Sequence, residues 1–106
     1  MCGLAGIISS QEKKDIELSM QKMLELINHR GPDGRGIDIF DLESNKILAL
    51  GHNRLAIIDT SDAGLMPMDS EDGTFSIVYN GEIFNYLELK EELSELGHRF
   101  LTQTDT

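Results

Sequence analysis

The sequence predicts one α+β domain, because helical and strand-like patterns follow one another along a chain of domain size. Apolar residues recur with helical spacing in two stretches, at 15–28 and at 86–96. Short apolar runs bounded by polar or glycine-containing segments surround these stretches, as is typical of strands. The predicted order is strand, helix, several strands, helix and strand. A length of 106 residues fits a single domain.

The first part of the chain contains the first predicted strand and helix. An apolar run at 4–8 predicts a strand, and a helix is expected at 15–28. Three glycines and a proline then predict a loop at 28–36. The helix should bury one apolar stripe, which consists of Ile16, Met20, Met23, Leu24 and Ile27.

The middle of the chain has the pattern of a series of strands. Two runs at 37–40 and 47–50 predict strands, with a hairpin connection at 43–45. A further strand is expected at 54–59 and a buried one at 75–79. These strands should supply the sheet surface on which the helices pack.

The last part predicts a second helix and a final strand. Asn85 can cap the helix, and Gly97 suits the left-handed residue that ends it. A strand is then expected at 99–101. A sheet that ends on this strand has an unpaired edge, so we expect the native chain to continue. The helix should present an apolar stripe made of Tyr86, Leu89, Leu93 and Leu96.

Composition argues against several functional classes. The chain has 9 Lys and Arg against 19 Asp and Glu, and its formal net charge is −10. Such an acidic chain repels phosphate groups, and its apolar runs are too short to cross a bilayer, so we expect neither nucleic-acid nor membrane partners. The single cysteine and the absence of a secretory pattern predict a cytoplasmic protein. The three histidines lack metal-ligand spacing, so no metal site is expected.

Cys2 is the first candidate for chemistry. A lone cysteine is most often a small buried apolar side chain, and this interpretation would apply without its context. Its position directly after Met1 favours another. Removal of Met1 would leave Cys2 with a free α-amino group, and such a group is partly neutral near pH 7 and can accept a proton. An N-terminal cysteine therefore carries the base that its thiol needs.

Three other segments carry candidate residues. The segment His29-Arg30-Gly31-Pro32-Asp33 is either a surface turn or a loop that closes over a pocket. Arg54, between two apolar runs, is either an internal ion-pair partner or a receptor for a carboxylate. Asn80 and Gly81 are either a hairpin turn or two donors of an oxyanion hole, from the Asn80 amide and the Gly81 backbone N–H.

Several motifs occur together and in one order: 1–7, 29–33, 51–59, 80–86 and 104–106. Over essentially the whole chain they resemble the class II glutamine amidotransferase domain of glutamine-hydrolysing asparagine synthetases. The opening motif is shared by class II amidotransferases in general. The His-Arg-Gly-Pro-Asp, Asn-Gly-Glu-Ile and Thr-Asp-Thr forms resemble the asparagine synthetase branch more than the phosphoribosyl-transferring or sugar-phosphate branches.

The resemblance implies a fold and a larger protein. The fold would be the four-layer αββα sandwich of N-terminal nucleophile hydrolases, with mostly antiparallel sheets. Residues 1–106 would form its N-terminal part, without the remaining strands and the synthetase domain. No cofactor is expected in this chain. ATP and Mg²⁺ would bind to the C-terminal synthetase domain, where ammonia from glutamine would amidate aspartate.

The resemblance also implies a role for each matching residue. Cys2 would attack the side-chain amide of glutamine, while Asn80 and Gly81 would hold the oxyanion. Arg54 would bind the α-carboxylate of the substrate, and Glu82 and Asp105 its α-amino group. The backbone from Leu55 to Ile58 would line the pocket.

Two other functional classes stay open from the sequence. One is a module without catalytic activity, including a truncated product that keeps the motifs. The other is an ammonia-supplying domain for a different acceptor, since the acceptor would be chosen by a domain outside these residues. A homodimer is also left open. The sequence downstream and the loss or retention of Met1 would discriminate among these hypotheses.

Overall fold

The computed structural model describes residues 1–58 and 61–106. The first half, residues 1–58, contains strand β1 (Gly3–Ser9), helix α1 (Lys13–Leu26), strand β2 (Gly34–Leu42) and strand β3 (Lys46–Arg54). The second half, residues 61–106, contains strands β4 (Met68–Asp69) and β5 (Ser76–Ile77) and helix α2 (Tyr86–Glu95). Short 3₁₀ turns lie at Asn28–Arg30 and Asp62–Gly64. The α+β class is confirmed.

The main sheet has three antiparallel strands in the order β1-β3-β2, with β3 in the centre. Its register aligns Ala5 with Gly51 and Gly51 with Ile37, so these residues share one face. Helix α1 packs on that face. Since apolar contact with a sheet removes both surfaces from water, this layer forms the core. The buried core residues are Ala5, Ile16, Met20, Leu24 and Ala49.

The predicted stripe of α1 is largely correct. Ile16, Met20 and Leu24 are fully buried, and Ile27 packs against the same cluster. Met23 is different, with 38% of its surface exposed. The stripe is therefore narrower than predicted and follows every fourth residue, because the helix meets the sheet along one line of contact.

The C-terminal end of α1 is fixed to β3 by Asn53. The Asn53 amide is fully buried and donates to the Leu24 carbonyl at 2.6 Å. It also accepts a hydrogen bond from Nε of Arg35 at 3.0 Å. The last carbonyls of a helix lack partners within the helix, so this contact satisfies one of them. The end of β3 thereby has a fixed position beside α1.

The β2–β3 connection confirms the predicted hairpin. Leu42 pairs with Lys46, and the connection at 43–45 contains two residues with positive φ, Ser44 at 61° and Asn45 at 56°. Left-handed residues give a turn the twist that flanking antiparallel strands require. Both strands extend beyond the predicted runs, since β2 already begins at Gly34. The predicted loop at 28–36 is therefore shorter, and its first residues form a 3₁₀ turn.

Three strand predictions in the rest of the chain were wrong or too long. Among residues 54–59, Arg54 ends β3 and 55–58 are not a strand, while Asp59 lies outside the described residues. The N–H groups of Leu55 and Ala56 bind side chains, so they are not available to a strand ladder. Of 75–79, two residues form β5, and Phe75 is 74% exposed.

The third of these predictions, a strand at 99–101, is also wrong, since those residues have no strand pairing within the described ranges. The Arg99 N–H instead binds a carboxylate oxygen of Glu71.

Helix α2 forms where it was predicted but packs differently from α1. Asn85 occupies the N-cap position without a side-chain capping hydrogen bond to a described residue, and Gly97 has φ +97° as predicted. The expected apolar stripe is not buried: Leu89, Leu93 and Leu96 are 39%, 37% and 72% exposed. No helix in the described ranges is long and apolar enough to cross a membrane.

The face of the main sheet opposite α1 is covered only in part. His52, which pairs with Leu4 on this face, is fully buried. Leu4 and Ile8 on β1 are 47% and 64% exposed. The register places them on one face with Leu48 and with Phe40 of β2. The described chain thus has one helix-on-sheet layer pair and a separate two-stranded sheet of β4 and β5. It is compatible with part of a layered sandwich.

Candidate active site

A cavity of about 420 Å³ lies where the first residues of β1 meet the last residues of β3. Because Gly3 pairs with Asn53, the next residues along the two strands, Cys2 and Arg54, lie side by side at this edge. Segments of the second half complete the lining. The cavity brings together the predicted residues Cys2, Arg54, Leu55, Ile58, Asn80, Gly81, Glu82 and Asp105.

The sulfur of Cys2 is held by the backbone that follows β3. The Leu55 N–H donates to Sγ at 3.3 Å, and Sγ lies 3.8 Å from the Leu55 carbonyl oxygen. Cys2 is half-buried and lines the cavity. Its sulfur therefore has a fixed direction, with a polar partner, at the wall of a space that a small molecule can enter. Since Met1 precedes Cys2 in this chain, the Cys2 nitrogen is here an amide.

The loop expected to close over the pocket, His29 to Asp33, lies elsewhere. None of these residues is among the described residues that line the cavity. The loop instead binds the backbone of Cys2, since Nε of Arg30 donates to the Cys2 carbonyl at 3.0 Å. Asp33 accepts a hydrogen bond from the Ala56 N–H at 2.9 Å, and its own N–H donates to the Arg54 carbonyl at 2.9 Å.

Gly31 explains why this loop can lie against β3. A Cβ at this position would be 2.3 Å from the carbonyl oxygen of Asn53, a distance that real side chains do not reach. The loop backbone therefore depends on glycine for its close approach. His29 and Pro32 are exposed. The surface-turn interpretation fits His29 and Pro32, whereas Arg30 and Asp33 hold the backbone on both sides of the cysteine sulfur.

Arg54 is the last residue of β3 and is 7% exposed. Its Nη1 donates to the Ser61 carbonyl, and the guanidinium lies so close to Gly64 that a Cβ there would be 2.3 Å from Nη2. A guanidinium has five N–H donors, so it can bind backbone carbonyl groups and a carboxylate at the same time. Arg54 is the cationic side chain among the described residues that line the cavity.

The Asn80-Gly81 pair does not form a hairpin. Strand β5 ends at Ile77, and residues 79–81 lie outside the strands, along the cavity wall. A Cβ on Gly81 would be 2.4 Å from the Tyr79 hydroxyl, so the ring of Tyr79 occupies the place of a side chain. The hairpin alternative is therefore wrong, and the backbone of this segment faces a cavity that also contains Cys2.

The two predicted carboxylates have different surroundings. Asp105 accepts a hydrogen bond from the Ile83 N–H at 2.8 Å and is half-buried. Glu82 is exposed and lies one residue before that contact. Asp105 thus fixes the turn that follows Gly81 and also lines the cavity. Within residues 1–58 and 61–106, no cluster of His, Cys, Asp or Glu is arranged to hold a metal ion.

His52 is a site residue for which the sequence predicted no role. It is fully buried in β3, lines the cavity, and its Nε2 lies 3.1 Å from the Tyr79 carbonyl oxygen. Burial lowers the pKa of the His52 imidazole; the hydrogen bond to Tyr79 opposes this lowering, and the charge of Arg54 adds to it. The sequence contained one signal: His52 is two residues before Arg54, so both point to the same side of the strand.

Comparison with known proteins gives the family of this arrangement. The model of the glutamine amidotransferase domain family matches residues 1–106. Asparagine synthetase [glutamine-hydrolyzing] 1 of Bacillus subtilis is 38% identical over 100% of this chain and 16% of its own length. A putative asparagine synthetase [glutamine-hydrolyzing] 2 of Methanocaldococcus jannaschii is 43% identical over 89% of this chain and 21% of its own.

A relative of another kind also matches. Glutamine–fructose-6-phosphate aminotransferase [isomerizing] of Thermus thermophilus is 33% identical over 100% of this chain and 21% of its own length. The chain therefore spans about a fifth of the length of these curated relatives. Because the family model covers every residue, and the cavity contains the cysteine of the opening motif, the chain belongs to the glutamine amidotransferase domain family.

Proposed function

We propose that this chain is part of a glutaminase domain in which Cys2 takes ammonia from the side chain of glutamine. The observation that carries the proposal is the cavity itself. One small space contains a fixed cysteine sulfur, a buried arginine, and the Asn80-Gly81 segment. A nucleophile, a cation for a carboxylate, and donors for an oxyanion are the parts that acyl transfer from an amino acid amide requires.

The reaction begins after removal of Met1, which frees the α-amino group of Cys2. This amine takes the thiol proton, and Sγ forms a bond to the amide carbon of glutamine. The carbonyl electrons move to the oxygen, and the resulting oxyanion accepts hydrogen bonds from the Asn80 amide and the Gly81 N–H. The C–N bond then breaks as the amine returns the proton to the leaving nitrogen, and ammonia departs. Water hydrolyses the thioester to glutamate and restores the thiol.

The remaining residues bind the α-carboxylate and α-ammonium groups of glutamine. Arg54 pairs with the α-carboxylate through its guanidinium, and Glu82 and Asp105 accept hydrogen bonds from the α-ammonium group. The backbone between Leu55 and Ile58 forms the wall beside the substrate. Asp105 has a second role, since its hydrogen bond from the Ile83 N–H keeps the turn after Gly81 in place.

The domain is completed by elements beyond those described here, as a four-layer αββα sandwich. Two partly exposed apolar surfaces support this proposal: the part of the main sheet around Leu4 and Ile8, and the stripe of α2 at Leu89 and Leu93. Apolar surfaces of this kind are normally covered in a folded domain. A second sheet on the first surface would give the central ββ layers.

The whole protein is proposed to be a cytoplasmic, glutamine-hydrolysing asparagine synthetase. Support comes from two such relatives at 38% and 43% identity, against 33% for the aminotransferase of Thermus thermophilus. Ammonia would pass to a C-terminal synthetase domain that amidates aspartate with ATP and Mg²⁺. None of the residues of this chain is assigned to hold ATP or Mg²⁺. The match to the aminotransferase supports a second candidate, in which ammonia is supplied to a different acceptor.

The direct test combines intact-mass spectrometry with a glutaminase assay on the full-length protein. We expect a mass that lacks Met1, glutamate formation from glutamine, and loss of that activity in a form that retains Met1. A variant with an extra residue between Met1 and Cys2 supplies the retained form. Equal activity of the retained and processed forms would remove the N-terminal amine from the mechanism. An inactive processed protein would favour a non-catalytic module.

A further inference from the structure

A side-chain contact between β3 and the segment that contains Asn80 and Gly81 points to a function for His52. The residues from Tyr79 to Gly81 lie outside the strands, so no sheet ladder fixes their backbone. Among the described residues, the backbone of Tyr79 makes two polar contacts, and both are to side chains. Its N–H donates to the sulfur of Met66 at 3.2 Å, and its carbonyl oxygen faces Nε2 of His52 at 3.1 Å.

The two contacts differ in strength. A thioether sulfur is a weak acceptor, whereas an imidazole N–H to a carbonyl is an ordinary hydrogen bond. His52 is in the central strand of the main sheet and is fully buried, so its backbone is fixed by the strand ladders on both sides. Of the two, the imidazole is therefore the rigid attachment of the Tyr79-Asn80 peptide to the half of the molecule that carries Cys2.

The chemistry of the contact fixes the proton on the ring. A carbonyl oxygen can only accept, so Nε2 must be the donor. Burial lowers the pKa of His52, which favours the neutral ring, and in a neutral ring with the proton on Nε2 the Nδ1 atom carries none. That nitrogen is buried and has no hydrogen-bond partner among the described residues. A buried acceptor without a partner lowers the stability of the fold. For stability alone, an apolar side chain at position 52 would therefore be preferable.

We propose that His52 is a positioning residue for the oxyanion-binding segment. Through the bond from Nε2 to the Tyr79 carbonyl, it holds the peptide that precedes Asn80, and thereby the direction of the Asn80 amide and the Gly81 N–H. This inference rests on the proposed glutaminase function. Donors that stabilise an oxyanion must be oriented before the charge forms, because reorientation during the reaction would cost the energy that they supply.

Two substitutions separate the hydrogen bond from the volume of the ring. In His52→Gln the side-chain amide nitrogen can reach the position of Nε2 and donate to Tyr79, whereas the shorter amide of His52→Asn corresponds to Nδ1. We expect His52→Asn to lower kcat for glutamine hydrolysis by about 10- to 100-fold, since a small misplacement of catalytic groups has effects of this size. KM should change less than about threefold, because ground-state binding is not involved. His52→Gln should restore most of kcat.

A double-variant cycle tests whether His52 acts through Asn80. In an Asn80→Ala background, His52→Asn should lower kcat by much less than in the wild type, because the donor that it positions is already missing. Ser76→Ala is the matched control. Ser76 also has a buried side-chain oxygen without a partner among the described residues, but it does not line the cavity. Its replacement should leave kcat unchanged.

The outcomes are distinct. A wild-type kcat in His52→Asn, an effect on KM alone, or an equal loss in His52→Gln and His52→Asn that adds fully to Asn80→Ala would overturn the positioning role. Thermal unfolding of each variant separates loss of fold from loss of positioning, and His52→Gln carries the test if His52→Asn does not fold. If the processed wild-type enzyme hydrolyses no glutamine, the proposed function fails, and the inference about His52 fails with it.

Discussion

The two halves of the molecule are stabilised in different ways. In residues 1–58, strand ladders and a buried apolar layer hold the chain, and Ile16, Met20 and Leu24 are fully buried. In residues 61–106, every residue of α2 stays at least partly exposed, and the ladder between β4 and β5 has two residue pairs. Single side chains hold the backbone there instead. The Ile83 N–H binds Asp105, and the Tyr79 carbonyl binds His52.

This difference has a consequence for the site. Cys2 and Arg54 are placed at the end of the main sheet, whereas the Asn80-Gly81 segment, the proposed oxyanion site, lies outside the strands and is placed by contacts with that sheet. The contacts between the halves include His52 with Tyr79 and Arg54 with Ser61, and Gly36 of β2 also lies against the backbone of Met66. In the proposed mechanism the first half supplies the nucleophile, and contacts between the halves align the Asn80-Gly81 segment.

The largest expected effect is on the nucleophile in the first half. In the full-length protein, Cys2→Ala should abolish glutamine-dependent activity, and Cys2→Ser should also be severely impaired because a hydroxyl is a weaker nucleophile at neutral pH. Use of free ammonia should persist in both variants. Assays with glutamine and with ammonia side by side measure this. Normal glutamine turnover in Cys2→Ala would refute the assignment.

The comparison of the halves predicts a difference in stability. Leu24→Ala in α1 should cost about 2–5 kcal/mol of the free energy of unfolding, because it leaves a cavity in the core. Leu96→Ala at the C-terminal end of α2 should cost within about 0.5 kcal/mol in residues 1–106, since 72% of Leu96 is exposed. Urea unfolding of both variants measures the difference. Equal costs would mean that the two helices are buried to the same extent in solution.

Asn80→Ala tests the oxyanion segment of the second half. The Asn80 amide is expected to matter most when charge develops on the substrate oxygen. Its loss should therefore lower kcat by about 10²–10³-fold with a small change in KM. Steady-state glutaminase kinetics measure both constants. A change in KM alone would place Asn80 in ground-state binding and not in catalysis.

Arg54→Ala tests substrate binding at the end of β3. Loss of a charge-assisted pair with a carboxylate should weaken glutamine binding by about 2–4 kcal/mol, expressed mainly in KM. Because Arg54 also holds the Ser61 carbonyl, thermal unfolding should accompany the kinetics. Arg54→Lys is the control for charge without the planar fork. An unchanged KM in a folded Arg54→Ala protein would contradict the role.

The smallest effect concerns pH and the turn between β4 and β5. Hydrogen bonds from Thr74 and Ser70 lower the pKa of Asp72 from 3.8 to about 2. A lowered folded-state pKa means that the carboxylate stabilises this turn above about pH 4, and that the contribution is lost as pH falls toward 2. NMR titration of Asp72 in the wild type and in Thr74→Val measures it. An equal pKa in both would show that the Thr74 hydroxyl is not the cause, since the backbone N–H of residue 74 remains in the variant.

Some of the site was visible in the sequence because chemistry requires particular residue types. Cys2 after Met1, Arg54 between apolar runs and the Asn80-Gly81 pair were each singled out, and one cavity contains all of them. One of the two interpretations of the loop at 29–33 had it close over a pocket, but Arg30 and Asp33 instead bind the backbone of Cys2 and Ala56. Which side of β3 a loop contacts depends on long-range packing that residue types do not record.

Local structure followed from the order of the residues alone: α1, the 43–45 hairpin and the left-handed Gly97. Periodicity, turn chemistry and chain position are local, so they can be read from neighbouring residues. Long-range packing determined that 55–58 binds Cys2 and Asp33 and does not continue β3, and that Phe75 is exposed. It also determined the contact of His52 with Tyr79, because residues 27 positions apart meet only when the two halves pack together.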